Sequence, residues 1–135
     1  MAKFYSIMQH PLSSEQRAEI VPLGLVDIVE LNVVRKGDFN QLLDVPADPD
    51  LGREWFVERA QVIAEALGGF DSADVVLAMG QPQLAAAIQA EARNAGAFVV
   101  EAVSERRSVE QTQPDGSTRK VAVFVHRGFR PVYAY

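Results

Sequence analysis

The 135-residue chain has no cysteine and only two histidines. Without thiols there can be no disulfide and no thiolate metal centre. With His10 and His126 alone, and no HExxH, a zinc hydrolase lacks its ligands. No GxxxxGK[ST] phosphate loop occurs, and no GxGxxG follows a strand-like run, which argues against P-loop ATPases and dinucleotide dehydrogenases. The acidic loop around Asp44, Asp48 and Asp50 lacks the calcium-loop pattern and reads as a solvated loop. The residue content thus calls for no metal and no cofactor. Apolar runs fall well short of the roughly 20 residues of a membrane span. The first, Phe4 to Met8, is too short for a signal-peptide core and is followed at once by Gln9-His10-Pro11. The expectation is a soluble, cytoplasmic protein.

What is present is ordinary globular material: 48% apolar and 23% charged residues, enough for one domain over residues 1–135. The net charge of −5 hides an asymmetry. Residues 1–103 carry 7 basic and 15 acidic side chains, a net of −8, whereas residues 104–135 carry 6 basic and 3 acidic, a net of +3. A basic tail on an acidic body suits an anionic ligand. Solvated arginines on an exposed hairpin would look the same.

Hydrophobic patterning predicts a strand over Lys3–Met8 and a short helix over Ser14–Ile20, opened by a Ser13/Gln16 capping box. A strand over Leu25–Leu31 comes next, then a loop over 36–52 with a turn of helix at Phe39–Leu43. An amphipathic helix over Arg53–Leu67 is stopped by Gly68-Gly69. Asp74–Met79 reads as a strand buried on both faces, Pro82–Ala95 as a helix stopped by Gly96, and Phe98–Val103 as a fourth strand. Val109–Thr112 and Thr118–Val125 flank Pro114-Asp115-Gly116, a hairpin signal. Phe124 and Phe129 are expected in the core, and the tail through Tyr133 and Tyr135 packed. The alternation predicts an α/β, Rossmann-like domain, a parallel sheet with helices on both faces and a C-terminal β-hairpin.

In open sheets of this kind ligands bind outside the carboxyl ends of the strands. The segments there are Gln9-His10, Gly80-Gln81 and Ser104 to Arg107. Gly80, after a buried strand, admits close approach of another backbone, and the free N–H groups opening the next helix favour an anion. His10 fits either a loop histidine bonded to backbone or an acid/base. Arg106 and Arg107 offer planar forks suited to phosphate, or else surface pairs with Glu105 and Glu110. His126 and Arg130 lie in an aromatic, basic segment whose rings suit the core or the stacking of a base.

These pieces, in order, resemble the small CRISPR-associated CARF-like proteins of type III systems, some of which are ring nucleases. The opening Gln9-His10-Pro11-Leu12-Ser13-Ser14-Glu15-Gln16 is similar to that group's strand-(Asn)-His-x-Leu-Thr-x-x-Gln. A buried strand leads to Gly80. Ser104-Glu105-Arg106-Arg107-Ser108-Val109-Glu110, then Phe124, His126, Phe129, Arg130 and Tyr133, resemble its Thr-x-Arg-x-Ser-x-Glu and Phe-x-His-x-x-Phe-Arg-x-Tyr ending. Gln9 replaces Asn, Gln81 stands where an acidic residue is expected, Ser104 replaces Thr, and Tyr133 comes one residue late.

The resemblance implies a CARF-like three-layer sandwich with a mainly parallel sheet, forming a homodimer around cyclic oligoadenylate, most often cyclic tetra-adenylate. It implies metal-independent cleavage by attack of a ribose 2′-OH on its neighbouring phosphate, with no membrane and no duplex nucleic acid as partner. His10, Ser104, Arg106 and Arg107 are then the catalytic set, and Gln9, Gly80, Gln81, His126 and Arg130 bind the ligand. A non-catalytic sensor or sponge for the same ligand, and an α/β interaction module with no nucleotide, remain as alternatives.

Overall fold

The computed structural model describes residues 2–25 and 27–135. Strand β1 (Lys3–Ile7) lies mid-sheet, with β2 (Asp27–Glu30) on one side and β3 (Val75–Ala78) on the other, both parallel to it. Strand β4 (Phe98–Thr112) pairs parallel with β3, and β5 (Thr118–Pro131) antiparallel with β4, giving the order β2-β1-β3-β4-β5. Helix α1 (Ser14–Ile20) links β1 to β2. Helices α2 (Leu31–Val34), α3 (Phe39–Leu43) and α4 (Arg53–Ala66) link β2 to β3, and α5 (Pro82–Asn94) links β3 to β4.

Period-two alternation in the central strands divides the core between the two faces of the sheet. Phe4 and Leu77 face one side, where Leu12 and Ile20 of the α1 segment cover them. Tyr5, Ile7, Val76 and Ala78 face the other, against Phe56, Ala60 and Ile63 of α4 and Leu84, Ile88 and Ala92 of α5. No helix among the described residues is long and apolar enough to cross a membrane.

Several boundaries follow the local chemistry. Ser13 Oγ accepts from Gln16 N at 3.2 Å and Gln16 Oε1 from Ser13 N at 2.9 Å, so the capping box forms. Helices α4 and α5 end where Gly68, Gly69 and Gly96 take positive φ.

Other expectations need correction. The second strand is shorter than Leu25–Leu31: Leu31 opens α2, and Val26 lies outside the described residues. The sheet is mixed rather than mainly parallel, because the fourth strand does not stop at Val103. It continues as the first leg of the hairpin, whose antiparallel register pairs more residues than the three parallel pairings together. Cross-strand bonding alone sustains these extra residues, since the other strands end after four or five. Phe129 packs against Phe4, but Phe124 is 73% exposed because the sheet no longer runs beneath it. Val132 packs while Tyr133 and Tyr135 are exposed, as no element remains to cover them.

Candidate functional site

The strand order reverses between β1 and β3, and the crevice outside the carboxyl ends of two such strands is where open α/β sheets bind ligands. A cleft of about 330 Å³ opens there. Met8, Gln9 and His10, leaving β1, form one wall, and Met79, Gly80 and Gln81, leaving β3, form the other. Leu84 and Ile88 of α5 supply an apolar floor. His10 is exposed at the cleft, and no hydrogen bond to its ring is found among the described residues.

Gly80 adopts φ +130, a conformation closed to other residues, and a Cβ there would meet nothing within 4 Å. The glycine therefore serves the turn and not the close approach of another backbone. Gln81 is the N-cap of α5, its Oε1 accepting from Leu84 N at 2.9 Å. Pro82 has no N–H to give. The anion cradle expected at this helix start thus shrinks to the backbone N–H of Gln83, with the Gln81 side-chain NH₂ beside it.

Glu30, which sequence reasoning missed, holds the wall that carries His10. It is 6% exposed, accepts from Leu12 N at 2.9 Å and pairs with Arg17. A carboxylate at the carboxyl end of β2, opposite an arginine on the preceding helix, was the available signal. It anchors the β1–α1 loop at its far end, just past His10-Pro11.

Ser104, Arg106 and Arg107 do not line the cleft. They rise beyond it on the free part of the hairpin, a two-stranded ribbon of residues 104–126 that leaves the sheet at the same end. The register shifts between Val103 and Ser104, so that Arg127 is an unpaired extra residue at the ribbon's base. Gly128 next to it takes φ +144, and a Cβ there would stand 3.3 Å from Glu19 Oε1. Arg107 donates to both oxygens of Glu105 at 3.2 Å, and Arg127 Nε lies 3.5 Å from the same carboxylate. Hydrogen bonding and the positive charge of Arg107 hold the Glu105 carboxyl below its ordinary value, with Arg127 adding to the effect. Arg106, on the opposite face beside Phe124, has no ion-pair partner among the described residues.

His126 and Arg130 stand apart from the cleft. His126 Nε2 lies 2.6 Å from Glu19 Oε2, tying the ribbon's base to α1, and its ring packs on Phe129. Its Nδ1 is buried without a hydrogen-bond partner. Arg130 Nε lies 2.5 Å from Glu101 on the neighbouring strand. Of the nine residues read from the sequence as the site, the structure brings together Gln9, His10, Gly80 and Gln81. It sets Ser104, Arg106 and Arg107 on the ribbon, and His126 and Arg130 against the carboxylates of Glu19 and Glu101 near its base.

Chemically, the cleft offers an apolar floor for a planar group, amides for hydrogen bonding and one imidazole for proton transfer. Among the described residues no lysine or arginine lines it. Among the described residues no three His, Asp or Glu side chains group to hold a metal ion. No curated protein and no solved structure matches the chain. A family model does: that of the "Uncharacterized protein MJ1673 family" matches residues 2–130, and the chain belongs to that family.

Proposed function

We propose that the chain is a Rossmann-like, CARF-like three-layer domain that acts as a homodimeric ring nuclease on cyclic oligoadenylate, with cyclic tetra-adenylate the preferred ring. Its role would be to end type III CRISPR signalling. The observation that carries the reading is the cleft at the β1/β3 crevice, where Gln9, His10, Gly80 and Gln81 meet, with an arginine-bearing ribbon rising from the same end of the sheet. An adenine suits the apolar floor and the amides. The chemistry asked of the protein is modest: hold a ribose 2′-OH in line with its neighbouring phosphate, stabilise charge on that phosphate, and assist proton transfer. His10 is the proton-transfer group, worth typically 10²–10⁴-fold. Arg106 is the phosphate-binding group, with Ser104 on the same face of the ribbon to orient it or the ribose, while Arg107, the other arginine expected there, faces away and binds Glu105.

A second reading, a binder that retains the ring intact, draws on one observation. Among the described residues His10 is the single titratable group lining the cleft, and Gln81 stands where the resemblance expects an acid. Incubating the protein with cyclic tetra-adenylate in EDTA separates the readings. Linear products ending in a 2′,3′-cyclic phosphate are expected. Intact ring that co-elutes with the protein selects the binder. Neither outcome rejects both in favour of an interaction module.

A further inference from the structure

We propose that the ribbon of a second copy completes the cleft: its Phe124-bearing face docks at the cleft mouth and delivers Arg106 to the bound phosphate. The inference rests on reading the cleft as the phosphodiester site, and adds where its missing cation comes from.

Geometry rules out the chain's own ribbon as the donor. Val100 pairs with Leu77, so Gly80 sits three residues past that level and Arg106 six. The three residues of rise between them, about 10 Å, exceed the reach of an arginine side chain. Arg106 also shares its face with His126, which turns to the α1 side, whereas the cleft floor is formed by α5. Among the described residues the cleft has amides and an imidazole but no Lys or Arg, while the ribbon carries Arg106, Arg107, Arg119 and Lys120.

The ribbon also lacks cover. A two-stranded ribbon is marginal in water without a surface to pack on, and open strand edges are normally covered or paired. Its two faces differ. Val121, Val123 and Val125 are half-buried and share their face with the Glu105–Arg107–Arg127 group. The other face presents Phe124, 73% exposed, beside the Arg106 guanidinium, which has no ion-pair partner among the described residues. Met79, 41% exposed at the cleft mouth, is an apolar seat for such an anchor. Charge selects the occupant. The body is acidic and the C-terminal segment basic, so a second copy of this chain brings the complementary surface, and reciprocal exchange of ribbons about a two-fold axis closes the assembly.

The absence of native cysteine makes the test direct, since introduced thiols are the sole crosslinking points. Met79→Cys marks the cleft mouth, and Ser108→Cys marks the ribbon on the Phe124 face. The two single variants are mixed at micromolar concentration and treated with a short bis-maleimide. The expected product is a covalent dimer whose linked peptide joins residue 79 of one chain to residue 108 of the other. Absence of that product overturns the proposal, as does a double variant that links only within its own chain. Adding Phe124→Asp to the Ser108→Cys protein should abolish the link and leave a monomer by sedimentation, with circular dichroism unchanged. A Phe124→Asp protein that still dimerises and links overturns the proposal too. No nucleotide enters this experiment, so a protein that fails to cleave cyclic oligoadenylate counts against the proposed function and leaves the ribbon exchange to be decided by the crosslink.

Discussion

The body and the ribbon share a strand but not a physics. Between Val99 and Val103, β4 passes from β3 to β5, with Val100 paired to both, and is buried or partly buried; over Ser104–Thr112 it is paired to β5 alone and exposed throughout. The body is held by apolar burial on both faces of its sheet, the ribbon by cross-strand hydrogen bonds and exposed ion pairs such as Glu105–Arg127. Exposed pairs of that kind contribute little to stability, because water and salt screen them. Folding free energy therefore sits in the body, which leaves the ribbon free to carry arginines whose value lies in what they touch in a partner.

That contrast can be broken or sharpened by substitution. The largest loss of stability is expected for Leu77→Ala, which empties a fully buried site in the central sheet and should cost about 2–5 kcal/mol in urea unfolding. Lys120→Ala on the ribbon should stay within about 0.5 kcal/mol. Equal losses for the two would erase the distinction. Removing the free guanidinium by Arg106→Ala should cost about 2–4 kcal/mol of transition-state stabilisation, roughly 30- to 1,000-fold in single-turnover cleavage, at unchanged unfolding midpoint.

Glu30→Ala removes the acceptor of Leu12 N and the partner of Arg17, and should cost about 1–3 kcal/mol. It should also slow cleavage by loosening the loop that carries His10. A variant that loses stability but keeps its rate would separate that loop from the chemistry. Gly128→Ala forces a Cβ into a positive-φ position facing Glu19, and should cost about 1–3 kcal/mol while loosening the hinge between body and ribbon.

The smallest effect is electrostatic. Glu105 is held below its usual value, 4.5, chiefly by Arg107. A lowered carboxyl makes its contribution above the unfolded value, and that contribution fades as pH falls through the folded one. Carboxyl NMR should therefore show Glu105 titrating below 4.5, and Arg107→Ala should move it upward. At neutral pH neither change should shift the unfolding midpoint, because the pair is exposed.

The body was legible because its signals are local and redundant. The Ser13/Gln16 capping box, Pro82 ahead of a helix, and Gly68, Gly69 and Gly96 behind helices each satisfy backbone groups with no need of tertiary context. Gln9, His10, Gly80 and Gln81 could be placed together because strand carboxyl ends converge in an open sheet whatever its details. The ribbon was legible as a hairpin from Pro114-Asp115-Gly116, but not in its reach. Pattern alone puts Phe124 in a core, as it does Phe129, and only the register reveals that the sheet ends between them. For the same reason Arg106 and Arg107 read as neighbours in one pocket, although alternation sends them to opposite faces of a ribbon that stands clear of it. Glu30 was missed because its partners, Leu12 N and Arg17, come from an earlier segment of the chain.

The most direct test of a site divided between one copy's cleft and another's ribbon is functional complementation. His10→Ala and Arg106→Ala proteins are assayed separately and then mixed, using single-turnover cleavage of cyclic tetra-adenylate in EDTA. In a dimer with exchanged ribbons, a mixed pair contains one site with both residues intact, so random mixing should restore about a quarter of the wild-type rate from two nearly inactive proteins. A mixture no faster than the sum of its parts, when the wild-type protein cleaves the ring, would contradict the account.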